Sequence, residues 1–128
     1  MPKFLSDEWF AKVEELTKAA AGLEIPKAMK DVVVNLTVST GGSEVPFSMN
    51  GGIIRKGLAA TADVEMSMPA EYALSIMIKG DWSAGMKGWV ARKIKVSGNM
   101  RKLIPLQVYK PTASQEALRK QIESITEV

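Results

Sequence analysis

The sequence predicts a single α+β domain. Three observations carry that reading: an amphipathic helical stretch near the N-terminus, a series of period-2 segments separated by glycine turns, and an apolar helical run before the last of those segments. The 128 residues suit one domain with a real core, with 46% hydrophobic and 24% charged residues. No repeat, low-complexity tract or linker divides residues 1–128.

The first helix spans Ser6 to Ala21. Ser6 is an N-cap, Asp7 and Glu8 suit the positive end of the dipole, and Gly22 is a C-cap. Trp9, Val13, Leu16 and Ala20 form one face, broadened by Phe10. A strand follows from Asp31 to Ser39, in which Val32, Val34, Leu36 and Val38 alternate with Val33, Asn35 and Thr37. Gly41-Gly42 turns the chain into a second strand, Glu44 to Met49, where Pro46 favours an edge or bulged position. Asn50-Gly51-Gly52 is a further turn, leading to a short strand at Ile53 to Lys56. In Ala62 to Met68, Val64, Met66 and Met68 face one way and Asp63, Glu65 and Ser67 the other. The pattern to this point predicts an antiparallel meander with one dry face.

Pro69 and Glu71 then open a helix over residues 70–79 that is apolar on almost every side, and Gly80 ends it. Asp81 to Ala91 reads as a looser helix interrupted by Gly85 and Gly88. Strand character returns from Arg92 to Ser97, with Ile94 and Val96 inward and Lys93, Lys95 and Ser97 outward. Met100 to Ile104 is a short helical segment stopped by Pro105. A final helix starts at an N-cap Ser114, with Gln115, Leu118, Ile122 and Ile125 as its apolar edge and Glu116, Arg119, Lys120 and Glu123 on the solvent side.

Composition excludes much chemistry. With no Cys and no His, thiolate catalysis, disulfides, imidazole bases and Cys- or His-ligated metal are ruled out. No cofactor is expected. Gly41-Gly42 and Gly51-Gly52 lack the Gly-Lys-Ser/Thr ending of a phosphate loop. Asp63 and Glu65 lie two apart on the polar side of a strand, where carboxylates serve solubility, so a non-enzymatic protein is expected. No signal-peptide core, membrane-length apolar run or peroxisomal C-terminus is present, which makes cytoplasmic the expected location. Charge is uneven: residues 87–128 hold nine Lys/Arg against three Glu, and residues 1–86 hold eight against eleven Asp/Glu. That balance suits a solvated basic flank or transient contact with an anionic membrane. Nucleic acid is not expected, because no aromatic stacking platform interleaves the cations.

Between residues 66 and 100 the chain gathers Met66, Met68, Met77, Met86 and Met100 with Trp82 and Trp89. Such soft side chains fill ordinary cores, and they also line surfaces that accept varied apolar partners. Next to them stands Lys93-Ile94-Lys95-Val96-Ser97-Gly98-Asn99-Met100, followed by Leu106-Gln107. This run resembles the last strand of sterol carrier protein-2 domains, with its alternating lysines, Gly-Asn-Met and later Leu-Gln. Upstream, Ala62-Asp63-Val64-Glu65-Met66-Ser67-Met68 is similar to the strand that precedes that family's helix pair. Residues 62–107 carry the resemblance, and residues 5–60 agree in the order of elements.

The resemblance implies a five-stranded, mostly antiparallel sheet covered by helices, with an apolar ligand tunnel between them. It implies binding and transfer of a fatty acid, acyl-CoA, sterol-like or isoprenoid lipid without chemistry. Carried over residue by residue, the ligand-binding positions on the helix pair are Leu74, Ile78, Trp82, Met86 and Trp89. The strands and short helix add Met66, Met68, Ile94, Val96, Met100 and Leu103. Two departures stand out: Ala91-Arg92 where the family has a glycine, and Arg101-Lys102 with Pro105 where it has a small apolar helix at the tunnel mouth. That charged pair would meet an acidic head group of the ligand or simply stand in solvent. An alternative reading makes the 70–79 surface a homodimer contact or the interface of an accessory subunit in a lipid- or quinone-related enzyme complex.

Overall fold

The computed structural model describes residues 2–20, 23–25, 27–51, 53–81, 83–102 and 112–127. Helix α1 covers Asp7–Ala19, and the Ser6 hydroxyl accepts the Trp9 N–H at 3.2 Å. A one-turn helix α2, Lys27–Lys30, precedes the strands β1 (Val33–Thr40), β2 (Ser43–Asn50), β3 (Ile53–Lys56) and β4 (Val64–Pro69). Helix α3 (Ala70–Ala73) widens into a π turn at Leu74–Ile78, then come α4 (Ser83–Val90) and β5 (Lys95–Gly98). A 3-10 turn, Met100–Lys102, and α5, Ala113–Ile125, complete the order.

The five strands form one mixed sheet in the order β3-β2-β1-β4-β5. The simple meander is therefore corrected. β4 runs parallel to β1 on its far side, while the other three pairings are antiparallel. The physical reason lies in β1, which carries buried residues on both faces and so belongs at the centre. One face makes the core: register rows set Leu36 beside Phe47 and Met66, and Val38 beside Val45 and Met68. On the other face the β3–β4 connection must cross β2 and β1. Asn35 pins it there, accepting the Ala59 N–H at 2.8 Å and donating to the Ala59 carbonyl at 3.1 Å. Pro46 suits its place, since β3 pairs only with Phe47–Asn50 and leaves the outer edge of β2 open at Pro46.

The helices close the core face. Trp9 packs edge-on against Phe4 and Phe10, each at 5.1 Å between ring centroids, and Phe10 meets Phe47 of β2 at 5.6 Å. Such ring pairs add about 0.5–1.5 kcal/mol each beyond area burial. The Trp9 indole N–H donates to the buried Thr126 hydroxyl at 2.8 Å, joining α1 to the end of α5. Beside it the chain ends pair, with the Phe4 N–H on the Glu127 carbonyl at 3.1 Å and the Glu127 N–H on the Pro2 carbonyl at 2.8 Å.

α1 ends at Ala19 with Ala20 as its C-cap, two residues short of expectation, and three further expectations change for local reasons. α5 is capped by Thr112, not Ser114: the Thr112 hydroxyl accepts the Gln115 N–H at 3.2 Å, and the Gln115 side chain accepts the Thr112 N–H at 3.1 Å. Ser114 is used elsewhere, accepting the Glu24 N–H at 2.8 Å. α4 is one continuous helix through Gly85 and Gly88, because those glycines are packing contacts and not breaks. The last strand starts later than expected because the Lys93 and Ile94 N–H groups both bond the Gly88 carbonyl, at 2.8 and 3.1 Å. Pro105 lies outside the described residues.

Candidate functional site

Six of the eleven expected ligand positions, Met66, Met68, Leu74, Ile78, Ile94 and Val96, are buried or half-buried. Met66 of β4 is registered opposite Val96 of β5, and Met68 follows on the same face of β4. α3 packs on β1 and β4, and the π turn packs against α4 and α5. Met68, Ile78 and Ile94 are buried, whereas Met66, Leu74 and Val96 are half-buried together with Met77. The sheet–helix layer thus holds a buried base and a softer, incompletely covered upper part. Trp82 and Leu103 lie outside the described residues, and Met100 opens the 3-10 turn.

The π turn gives the layer its shape. One residue more per turn sets the Lys79 N–H on the Leu74 carbonyl at 3.1 Å. It ends at Gly80, whose φ of 70° suits glycine. Arg119 of α5 lies over that glycine and donates to the Ile78 carbonyl at 2.6 Å. Its guanidinium also pairs with Glu116 at 3.0 Å and Glu123 at 3.6 Å. Arg119 is therefore not the solvated residue that helical periodicity assigns: it holds the C-terminal end of the π turn. The hydrogen bond from Arg119 keeps the Glu116 carboxyl below its ordinary pKa, against a smaller opposing effect of burial.

Met86 and Trp89 point the other way. They are 59% and 44% exposed on the outer face of α4, and Val90 beside them is 74% exposed. The helix turns its small residues inward: Ala84 and Gly88 are buried, with Gly88 set against Ile94 and Tyr72.

An open cleft of about 390 Å³ lies at the other end of the layer, lined by Lys3, Phe4, Thr40, Ala70, Glu71, Leu74 and Glu127. Its half-buried apolar residues are Phe4, Ala70 and Leu74, with Lys3, Glu71 and Glu127 exposed around them. Leu74 alone belongs both to the cleft and to the expected positions. Sequence reasoning missed the rest because the cleft is assembled from the two chain ends and the β4–α3 junction. The only local hint was Pro69-Ala70-Glu71, read as a helix start.

Asp63 is structural. Its carboxylate accepts the Val33 N–H at 2.9 Å, and its carbonyl accepts the Asn99 N–H at 2.7 Å, so it joins β1, β4 and the turn after β5. Lys102 stands 3.9 Å from the same carboxylate, and Arg101 is exposed. No group of acidic residues that could hold a metal occurs among the described residues, nor does any helix there have the length and apolarity to cross a membrane.

No family model and no curated protein matches the sequence. Solved structures do match. The crystal structure of sterol carrier protein 2-like 2 from Aedes aegypti aligns with a TM-score of 0.56 at 18% identity, over 80% of this chain and 97% of that one. A crystal structure of sterol carrier protein 2 gives 0.54 at 16% identity, over 94% and 98%. A palmitated sterol carrier protein 2-like 2 from Aedes aegypti, solved in solution, gives 0.51 at 18% identity, over 84% and 98%. The strand order, the helices on one face of the sheet and these alignments agree: the chain has the fold of the sterol carrier protein-2 family.

Proposed function

We propose that the protein binds an apolar, fatty-acid-like ligand between its sheet and helices and carries it without chemical change. The observation that carries this reading is the half-buried layer of Met66, Leu74, Met77 and Val96 on a sterol carrier protein-2 fold. A core that needs one rigid packing favours branched residues in full burial, whereas flexible methionines adapt to a guest. The palmitated Aedes aegypti relative makes palmitate the first probe. The expected site is Leu74 with Met66, Met68, Ile78 and Val96, and Leu74 also lines the cleft at Phe4 and Ala70. Arg101 and Lys102 are candidates for an acidic head group.

Burial of a chain supplies the driving force, about 0.8 kcal/mol per CH₂. Affinity should therefore climb on the order of a hundredfold from a C12 to a C16 fatty acid. A fluorescent fatty-acid displacement titration measures this, and native mass spectrometry of freshly purified protein shows any retained lipid. Failure of fatty acids, acyl-CoA and sterols all to bind at micromolar concentration would remove the proposal. The alternative use of residues 70–79 as a subunit interface has less support. That segment already packs on β1, β4, α4 and α5.

A further inference from the structure

We propose that the outer face of α4 docks the protein on an anionic lipid bilayer. The helix is built inside out. Ala84 and Gly88 face the protein, while Met86, Trp89 and Val90, at i, i+3 and i+4, form one exposed apolar stripe. A helix that faced only water would carry polar side chains there. Three of the four large exposed apolar side chains among the described residues lie on this one surface, which makes it a patch and not scatter.

Charge decides what covers it. Lys87 on α4 and Arg92 and Lys93 just after it are exposed, and the sequence has no Asp or Glu between Asp81 and Glu116. An anionic bilayer satisfies both properties at once. Its head groups attract the cations, the Trp89 indole suits the interfacial depth, and the Met86 and Val90 tips can enter the acyl boundary. Arg92 adds a second observation. It holds φ 59° at the end of α4, a conformation that disfavours any residue with a Cβ and that glycine takes freely. A strained position directly after the apolar stripe is thus occupied by a cation.

The biological use of docking rests on the carrier reading, but docking itself is measured on the protein without ligand. The full chain is sedimented with phosphatidylcholine vesicles and with vesicles that also contain phosphatidylserine. Binding is expected only to the second, and is expected to fall as salt rises. Lys87→Gln with Lys93→Gln should weaken it about 25-fold, at about fivefold per cation. Val90→Ser should weaken it severalfold, and the blue shift of tryptophan fluorescence on vesicle addition should shrink in Trp89→Phe. Palmitate affinity of the lysine pair and of Val90→Ser, measured without vesicles, should match the parent and so report intact folding. Absent palmitate binding beside intact vesicle binding removes the carrier reading and supports docking. Equal vesicle binding by parent and variants overturns docking. So does a parent that ignores anionic vesicles, or a solution dimer that Val90→Ser dissociates.

Discussion

Replacing Gly88 by Ala tests whether α4 is seated by the absence of a side chain. In an exposed helix interior this change gains about 1 kcal/mol, from the lower entropy cost of ordering alanine. Here a Cβ would come 2.5 Å from Ile94 Cδ1, 2.7 Å from Ile94 Cγ1 and 3.0 Å from Tyr72 Cδ1. Ile94 is only 6% exposed and cannot swing clear, so an overpacking cost of roughly 1–3 kcal/mol opposes the gain. The net expectation is a loss of about 1 kcal/mol, or roughly 3–5 °C in Tm for a domain of this size. Gly85→Ala is the internal control. Its Cβ would meet Ile76 Cδ1 at 3.6 Å, an ordinary contact, so propensity should win and Tm should rise. Ile94→Val removes the nearest clashing atom, and in that background the Gly88→Ala penalty should shrink by about 0.5–1 kcal/mol in a double-mutant cycle. The assays are thermal and urea unfolding. The reasoning is refuted if Gly88→Ala stabilises as Gly85→Ala does, or if the Ile94→Val background leaves its effect unchanged.

Arg92→Gly should raise stability by about 1 kcal/mol by relieving the left-handed residue, read as a higher Tm; an unchanged or lower Tm would contradict the strain argument. Asn35→Ala removes both bonds to Ala59 from a buried site and should cost about 2–3 kcal/mol in urea unfolding, with faster proteolysis between Gly57 and Asp63; cleavage no faster than in the parent would count against a pinned crossover. Because the Arg119 hydrogen bond lowers the Glu116 pKa, the pair stabilises the fold above the ordinary carboxylate range, and that contribution disappears as pH falls through the lowered folded value. The Tm gap between parent and Arg119→Gln should therefore narrow as pH falls below the ordinary Glu range and through the lowered folded value, keeping the part owed to the Ile78 carbonyl. A gap independent of pH would show that the carboxylate is not involved.

Much of this fold was legible because its signals are local. Alternation in residues 32–38 and 64–68, glycine turns and the Ser6 cap each depend on neighbours within a few positions, and each appears as an element of the structure. The resemblance of residues 62–107 added the five-stranded arrangement, and the solved structures bear out that fold. Periodicity did less well where a side chain reaches across the molecule. Arg119 falls on a nominally solvent-facing position of α5, yet its partner is the Ile78 carbonyl, 41 positions away.

Met86 and Trp89 make the same point in reverse. By composition they belong to an apolar helix pair, and nothing in their spacing distinguishes an inner from an outer face. The tertiary structure decides the matter, because Gly88 is the residue that fits against Ile94 and Tyr72, and seating it inward turns the large side chains outward. The sequence by itself determined the elements, the absence of Cys and His chemistry, and the concentration of soft apolar residues in its second half. Only the tertiary structure decided that β4 joins β1 in parallel, that the cleft unites the chain ends with Leu74, and which methionines lie beneath the helices. Those outcomes depend on contacts between residues far apart in the chain, where steric fit, and not local pattern, selects the arrangement.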